Sequence, residues 1–122
     1  MSDPSNGTIA DALEELGDLY ELDGAVIHRV LAYRTAAKAI RDAPVSVAGL
    51  ARAGTLTTLP GIGATLERKV LDLIETGVIP AAAALKERYP PGLLAITAIP
   101  GLGPKRARRL FDELGILSLI HI

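Results

Sequence analysis

The chain has 122 residues, which is enough for one domain or for two very small subdomains around a shared core. Its hydrophobic fraction is 49% but only 3% of its residues are aromatic, so the core must be built from Leu, Ile, Val and Ala, as suits closely packed helices. The absence of cysteine excludes disulfide bonds and thiolate metal sites. The acidic first residues lack the basic start of a signal peptide, and the apolar stretch 92–103 is too short to span a bilayer. We therefore expect a cytoplasmic protein without membrane contact.

Charge is distributed unevenly along the chain, although the formal net charge is only -1. Residues 1–27 contain seven acidic residues and no Lys or Arg, whereas residues 28–122 contain all 13 Lys and Arg against seven acidic residues. This asymmetry fits a basic binding face with an acidic face turned away from it. It equally fits an ordinary mixed surface, and charge alone does not decide between the two.

The spacing of apolar residues predicts an all-α fold, a compact helical array without strands. Residues 1–7 are predicted to be a disordered lead-in, followed by a helix that Asn6 or Thr8 caps and that ends near Gly24. A second helix is predicted at about 25–42, with a buried stripe of Val26, Val30, Tyr33, Ala37 and Ile40. Further helices are predicted near 46–53, 64–75, 80–88, 91–96 and 104–114.

An internal repeat lies in the second half of the chain. The string LPGIG at 59–63 returns forty residues later as IPGLG at 99–103, and the residues that follow also agree. The matching pairs are Arg68 with Arg108, Lys69 with Arg109, Val70 with Leu110 and Asp72 with Asp112. Two such strings before basic amphipathic helices predict a repeated helix–turn–helix unit.

Each repeated string has the residue types that a phosphate-binding turn needs. Gly61 and Gly101 can adopt a positive φ, while Ile62 and Leu102 are expected to anchor the turn in the core. Gly63 and Gly103 then open a helix whose first amides lack intrahelical partners and attract anions. The nearby cations are Arg68, Lys69, Lys105, Arg106, Arg108 and Arg109. Such a site would contact phosphates rather than base edges; the alternative is that each turn merely connects two helices.

At these residues the chain resembles the helix-hairpin-helix family and, more closely, the N-terminal region of bacterial family X DNA polymerases. The resemblance runs from about Thr8 to Ile116. It rests on LEEL (13–16), ELDG (21–24), AYRTAA (32–37), LPGIG (59–63), ETG (75–77), PPGLL (90–94) and IPGLGPK (99–105).

The resemblance implies a lyase-type small domain at 8–78 and a second, fingers-like subdomain at 79–116. The first would hold the 5′-phosphate side of a gapped or nicked DNA duplex and the second the primer strand, without sequence preference. Polymerases of this family use two magnesium ions in a later palm domain, which this chain lacks, so no nucleotidyl transfer is expected from residues 1–122. We expect a monomer that associates with the nucleoid and serves DNA repair.

The resemblance also implies ligands and a pocket. No cofactor is required, but a monovalent cation (Na⁺ or K⁺) is expected at each hairpin, held by main-chain carbonyls. These belong to Thr57, Leu59 and Ile62 in the first hairpin and to Thr97, Ile99 and Leu102 in the second. His28, Arg29 and Tyr33 match members of the family's phosphate pocket.

Lys69 matches the lysine that some relatives use as a deoxyribose-phosphate lyase, through a Schiff base with the abasic sugar. Such an amine must be uncharged to attack, which requires burial or neighbouring cations. Basic residues of lyase-active relatives are replaced here by Thr57, Thr65 and Ala81, which weakens this interpretation. Lys69 could instead be a phosphate contact on a solvated helix face, and the enzymatic role stays open.

Two residues of the second helix and the chain end each allow two interpretations. Tyr33 is either a packing residue with a polar tip or a stacking platform for bases, and Arg34 either contacts DNA or pairs with an acid of the first helix. The two hairpins could also form a protein-interaction scaffold.

The tail LSLIHI at 117–122 is the translation of the codons CTG TCT CTT ATA CAC ATC. This DNA sequence matches the end of a common transposon-based sequencing adapter. We expect this tail to be artefactual; the alternative is a genuine apolar tail on the core.

Overall fold

A computed structural model describes residues 3–89, 103, 106–109 and 111–113. Throughout these ranges the regular elements are helical and no strand is present, which confirms the all-α prediction. They are α1 (Asn6–Leu22), α2 (Ile27–Asp42), α3 (Val47–Arg52), a 3₁₀ helix (Leu56–Thr58), α4 (Ala64–Thr76) and α5 (Pro80–Arg88). Residues 106–109 and 111–113 are also helical and are called the second-motif helix below. The predicted helix at 91–96, the tail 117–122, and Thr97, Ile99, Gly101, Leu102 and Lys105 lie outside the described residues.

The first helix begins inside the segment 1–7 that composition predicts to be a lead-in. Asn6 is already helical, and Asp3 forms an ion pair with Arg52 of α3 at 2.7 Å. An ion pair across 49 positions depends on tertiary structure, which local composition does not reveal.

The cap of α1 also differs from the prediction of Asn6 or Thr8, which is wrong. The capping hydroxyl belongs to Ser5 and accepts a hydrogen bond from the Thr8 amide at 3.1 Å. The Asn6 side chain instead donates to the Val45 carbonyl and accepts from the Val47 amide, both at 2.8 Å. Its amide group thereby satisfies a carbonyl of the α2–α3 loop and the first amide of α3, which would otherwise lack these partners.

The core forms where α1 lies against α2 and the later helices close around them. Its fully buried large side chains are Ile9, Leu13, Leu16, Leu19, Leu22, Val30, Ile40, Val47, Leu56 and Val70. The two helices approach closely at Gly17, where a Cβ would lie 3.2 Å from the Cβ of Tyr33. The prediction that Val26 belongs to the buried stripe is wrong: it is the N-cap of α2 and is 69% exposed, because the helix starts only at Ile27.

Ion pairs connect the acidic first helix to its neighbours. From α2, Arg34 pairs with Asp18 at 2.9 Å and with Glu21 at 2.7 Å, and Arg41 pairs with Asp11 and Glu14. From α5, Lys86 pairs with Glu15 at 2.5 Å and Arg88 with Asp23, the residue after α1, at 3.2 Å. Acidic residues of α1 and its C-cap thus neutralise cations of α2 and α5.

Candidate nucleic-acid interface

The first repeated string folds as a tight turn between the 3₁₀ helix and α4. The Leu59 amide donates to the Leu56 carbonyl at 3.0 Å, and the Ile62 amide donates to the Leu59 carbonyl at 3.2 Å. Gly61, which lies between Leu59 and Ile62, has a φ of +85°, a conformation that costs other residues roughly 1–2 kcal/mol. Glycine at this position therefore allows the chain to reverse direction.

The turn is anchored on one side and open on the other. The Ile62 side chain is only 5% exposed and packs in the core, whereas Gly61 and Gly63 are exposed. Gly63 is the N-cap of α4, and no side chain in the described part of the molecule caps this helix end. The first amides of α4, together with the positive end of its dipole, are thus available to an anion from outside.

Glu67, which the sequence pattern does not single out, stabilises the residues that precede the first turn. Its Oε2 accepts a hydrogen bond from the Leu56 amide at 3.1 Å, so a side chain of α4 holds the 3₁₀ helix that precedes the turn. The acidic first turn of a helix is a weak sequence signal for such a contact, because the partner amide lies outside the helix.

The turn lies beside α2. A Cβ at Gly61 would be 3.5 Å from the Cγ2 atom of Thr35. Lys38 follows Thr35 by about one helical turn, is exposed, and forms no ion pair with any described residue. The spacing of Lys38 from Thr35 identifies Lys38 as a neighbour of the turn only when the contact between α2 and the turn is already known.

The two cations of α4 have different surroundings. Arg68 is bonded to Asp72 at 2.7 Å, with Glu75 at 3.6 Å, and this pairing raises the pKa of the arginine. Lys69 is half-buried and forms no ion pair within the described ranges. The cation with uncompensated charge on α4 is therefore Lys69.

The second motif is described through its helix. Gly103 has a φ of +63°, and Arg106 and Arg109 are exposed. Arg108 pairs with Asp112 at 3.1 Å, which repeats the Arg68–Asp72 pair of the first motif four residues apart on the helix. The sequence repeat thus extends to side-chain geometry.

Comparisons with known proteins agree with this architecture. A family model described as a helix-hairpin-helix domain matches residues 4–79, and one described as a SAM-like helix-hairpin-helix tandem matches residues 53–115. The chain belongs to the helix-hairpin-helix family. Over 104 residues, 85% of this chain, it is 31% identical to the DNA polymerase/3'-5' exonuclease PolX of Bacillus subtilis (strain 168). The helix-hairpin-helix chain spans 18% of that protein's length, and the predicted resemblance to a bacterial family X polymerase is confirmed.

The residues predicted for the phosphate pocket of this helix-hairpin-helix protein lie along α2, in unlike environments. His28 is exposed, and the Arg29 guanidinium lies over the Tyr20 ring at 4.3 Å. Tyr33 is 4% exposed and stacks on Tyr20 with ring centroids 5.3 Å apart. Burial, reinforced by the neighbouring Tyr20, raises the pKa of Tyr33 to about 12.

On α2, the structure favours packing for Tyr33 and shows ion pairing for Arg34. The Arg34 guanidinium is bonded to both Asp18 and Glu21, and the bond to Asp18 contributes most to raising its pKa. The predicted DNA contacts of His28, Arg29, Tyr33 and Arg34 remain predictions.

Membrane-spanning helices and metal clusters are both absent from the described ranges of this helix-hairpin-helix chain. None of the helices there combines the length and apolar character needed to cross a membrane. Nor do three or more His, Asp or Glu side chains there converge into a metal-binding cluster.

Proposed function

We propose that this protein binds DNA through backbone phosphates, independently of sequence, with one phosphate site at each hairpin. Membership of the helix-hairpin-helix family and similarity to a DNA polymerase support DNA as the partner. The observation that carries the proposal is the exposed, uncapped start of α4 behind Gly63. About one and a half turns further along lies Lys69, which pairs with no carboxylate of the described residues. Amides that lack partners bind phosphate oxygens of any nucleotide equally well.

The preferred DNA in this proposal is a gapped or nicked duplex within repair. The first hairpin would hold the 5′-phosphate side of the gap, and the second hairpin, at 99–103, the primer strand. Nucleotidyl transfer would belong to a separate palm domain with its own metal ions.

The proposal includes a monovalent cation at the first hairpin. The donors would be the carbonyl oxygens of Thr57, Leu59 and Ile62, which are neutral, hard ligands suited to Na⁺ or K⁺. The Leu59 carbonyl oxygen accepts a hydrogen bond from the Ile62 amide within the turn. A carbonyl oxygen has two lone pairs, so the second one is available to a cation. When bound, the ion would supply positive charge opposite a DNA phosphate.

Substitution of Gly63 tests the observation on which the proposal depends, the exposed and uncapped start of α4. The position has extended backbone, and a Cβ there would have no neighbouring atom within 4 Å, so Ala, Asn and Asp should all fold normally. Gly63→Asp places a carboxylate where the phosphate would lie, and we expect affinity for a gapped duplex to fall by about tenfold or more. Gly63→Asn caps the same amides without charge and should lose less, and Gly63→Ala least.

The readout is fluorescence anisotropy with a labelled gapped duplex across a salt series. Phosphate contacts release counterions, so wild-type affinity should fall steeply between about 50 and 200 mM salt. Equal affinities for the Asp and Ala variants would remove the first hairpin from the DNA interface. Weak, salt-independent affinity of the wild type would favour a protein-interaction scaffold instead.

A second candidate function, abasic-site lyase activity, is favoured by the surroundings of Lys69. Lys69 is half-buried as a residue, and its amine is not held by a carboxylate of any described residue, unlike the guanidinium of the neighbouring Arg68. A free amine can attack the aldehyde of the abasic sugar and form a Schiff base with loss of water.

Borohydride trapping on a 5′-deoxyribose-phosphate substrate tests the lyase. Reduction of the Schiff base should give a covalent adduct with the wild type and none with Lys69→Arg, which keeps the positive charge for DNA binding. An adduct that survives Lys69→Arg and Lys69→Ala would remove Lys69 from the chemistry.

A further inference from the structure

A hydrogen-bond network joins the second-motif helix to the end of α1. The Arg108 guanidinium donates to the Leu22 carbonyl at 3.2 Å and to the Tyr89 hydroxyl at 2.7 Å. The Tyr89 hydroxyl in turn donates to the Asp23 carboxylate at 2.5 Å. Arg88 lies 3.2 Å from the same carboxylate, so the acid is shared between two cations and a phenol.

Ring contacts strengthen this junction. The Arg108 guanidinium lies 5.3 Å from the centroid of the Tyr89 ring, and the Phe111 ring meets Tyr89 edge-on at 5.4 Å. Ala107, next to Arg108 in the sequence, is fully buried. The helix that follows the second hairpin is therefore packed on Tyr89 as well as hydrogen-bonded to it.

The corresponding arginine of the first motif makes no such junction with any described residue. Arg68 is 61% exposed and bonds to carboxylates of its own helix, whereas Arg108 is 36% exposed and reaches α1. The two motifs share the Arg–Asp pair but differ in this one link. The difference lies in how the second-motif helix is attached to the end of α1.

We propose that Arg108 is a positioning residue: with Tyr89 and Asp23 it fixes the second hairpin relative to the first and so determines which gap length the protein prefers. This inference rests on the proposed function, since it requires both hairpins to hold one DNA molecule. Two linked sites bind best when their separation matches the spacing of their targets. A rigid junction narrows the range of target spacings that match.

The DNA-binding test uses Tyr89→Phe, which removes the shared hydroxyl and keeps the ring and the net charge. Affinity is measured on duplexes with gaps of increasing length. We expect the wild type to prefer one gap length, and the variant to lose about three- to tenfold there, the range of one hydrogen bond, while changing little elsewhere. The slope of affinity against salt should stay the same, because no phosphate contact is removed.

The direct-contact alternative gives the opposite pattern. If Arg108 binds phosphate, Arg108→Ala lowers the salt slope by about one and Tyr89→Phe leaves the gap preference intact. That result would overturn the inference. Arg68→Ala is the comparison in the first motif: the described partners of its side chain all lie on its own helix, so its loss should leave the gap-length preference unchanged, whatever its effect on overall affinity.

A measurement without DNA separates this inference from the proposed function. The chain has no cysteine, so spin labels can be attached at Asp42→Cys on α2 and Glu113→Cys on the second-motif helix, both exposed positions. Pulsed electron resonance should show a narrow distance distribution that Tyr89→Phe broadens. An unchanged distribution would overturn the positioning role of Arg108. Absence of DNA affinity in the wild type would instead overturn the proposed function, and the gap-length preference with it, while the positioning role of Arg108 would stand.

Discussion

Glu67 accepts a hydrogen bond from the backbone amide of Leu56 at 3.1 Å, so the helix after the first hairpin holds the residues before it. The Leu56 side chain is fully buried, and its amide is partly shielded from water. The hairpin is thus closed at its base by a charge-assisted bond.

Glu67→Ala should destabilise the protein, because it leaves the Leu56 amide without its partner. The expected loss in the free energy of unfolding is about 1–3 kcal/mol, and Glu67→Gln, which retains an oxygen acceptor, should lose less. Urea denaturation followed by circular dichroism measures both. Glu75→Ala is the control on the same helix, since Glu75 is exposed and its carboxylate lies 3.6 Å from Arg68; a loss equal to that of Glu67→Ala would contradict the role of Glu67.

Substitutions at Gly61 and Gly63 distinguish the energetic cost of backbone strain from that of steric crowding. Gly61→Ala should cost roughly 1–2 kcal/mol of stability because the φ of +85° is unfavourable for a residue with a Cβ. Gly63→Ala should be close to neutral, since its φ of -99° suits any residue and its surroundings are open. Thermal unfolding of the two variants gives the comparison. Equal stability would show that the turn relaxes away from its left-handed conformation.

The sequence predicts the helices well because Gly and Pro mark their ends. Pro80 opens α5, and the left-handed Gly77 ends α4 where the pattern indicates. The errors concern one residue whose role depends on distant partners and one residue at the exact start of a helix. Asn6 has the residue type of a cap but bonds to the α2–α3 loop, and Val26 follows the apolar stripe but lies outside the helix.

The candidate site is predictable in its backbone and less so in its side chains. The repeated PGxG strings indicate the turns, and positive φ is found at Gly61. Counting basic residues does not distinguish Lys69, which has no carboxylate partner among the described residues, from Arg108, which is bonded to Tyr89. That distinction depends on which helices meet, and helix packing is not encoded in local spacing.

Lys38 should contribute to DNA binding, whereas Arg41 on the same helix should not. Lys38 lies one turn from Thr35, which neighbours the first hairpin, while Arg41 is engaged by Asp11 and Glu14. Lys38→Ala is expected to weaken binding to all sequences and to lower the salt slope by about one. Arg41→Ala should leave the slope unchanged. If both variants behave alike in the salt series, long-range charge rather than a contact at Lys38 determines affinity.

Tyr33 makes stability depend on pH in the alkaline range. Its pKa is raised from 10.0 to about 12, mainly by burial, so the folded protein keeps a proton that the unfolded chain loses. The stability that Tyr33 contributes is therefore complete below pH 10 and declines as the pH rises from there towards about 12. By about pH 11 the loss should be on the order of 1 kcal/mol.

Tyr33→Phe isolates this effect, because it removes the hydroxyl and keeps the ring stacked on Tyr20. Urea unfolding of both proteins between about pH 8 and pH 11 gives a stability difference in which the titration of lysines and other tyrosines largely cancels. The wild type should lose stability relative to the variant only above about pH 10, where the unfolded chain begins to ionise. A difference that stays constant over the whole range would mean that the Tyr33 hydroxyl ionises as readily in the folded protein as in the unfolded one. The tight packing of Tyr33 between α1 and α2 argues against that outcome, since Gly17 brings the backbone of α1 close to the Tyr33 Cβ and leaves little room for water.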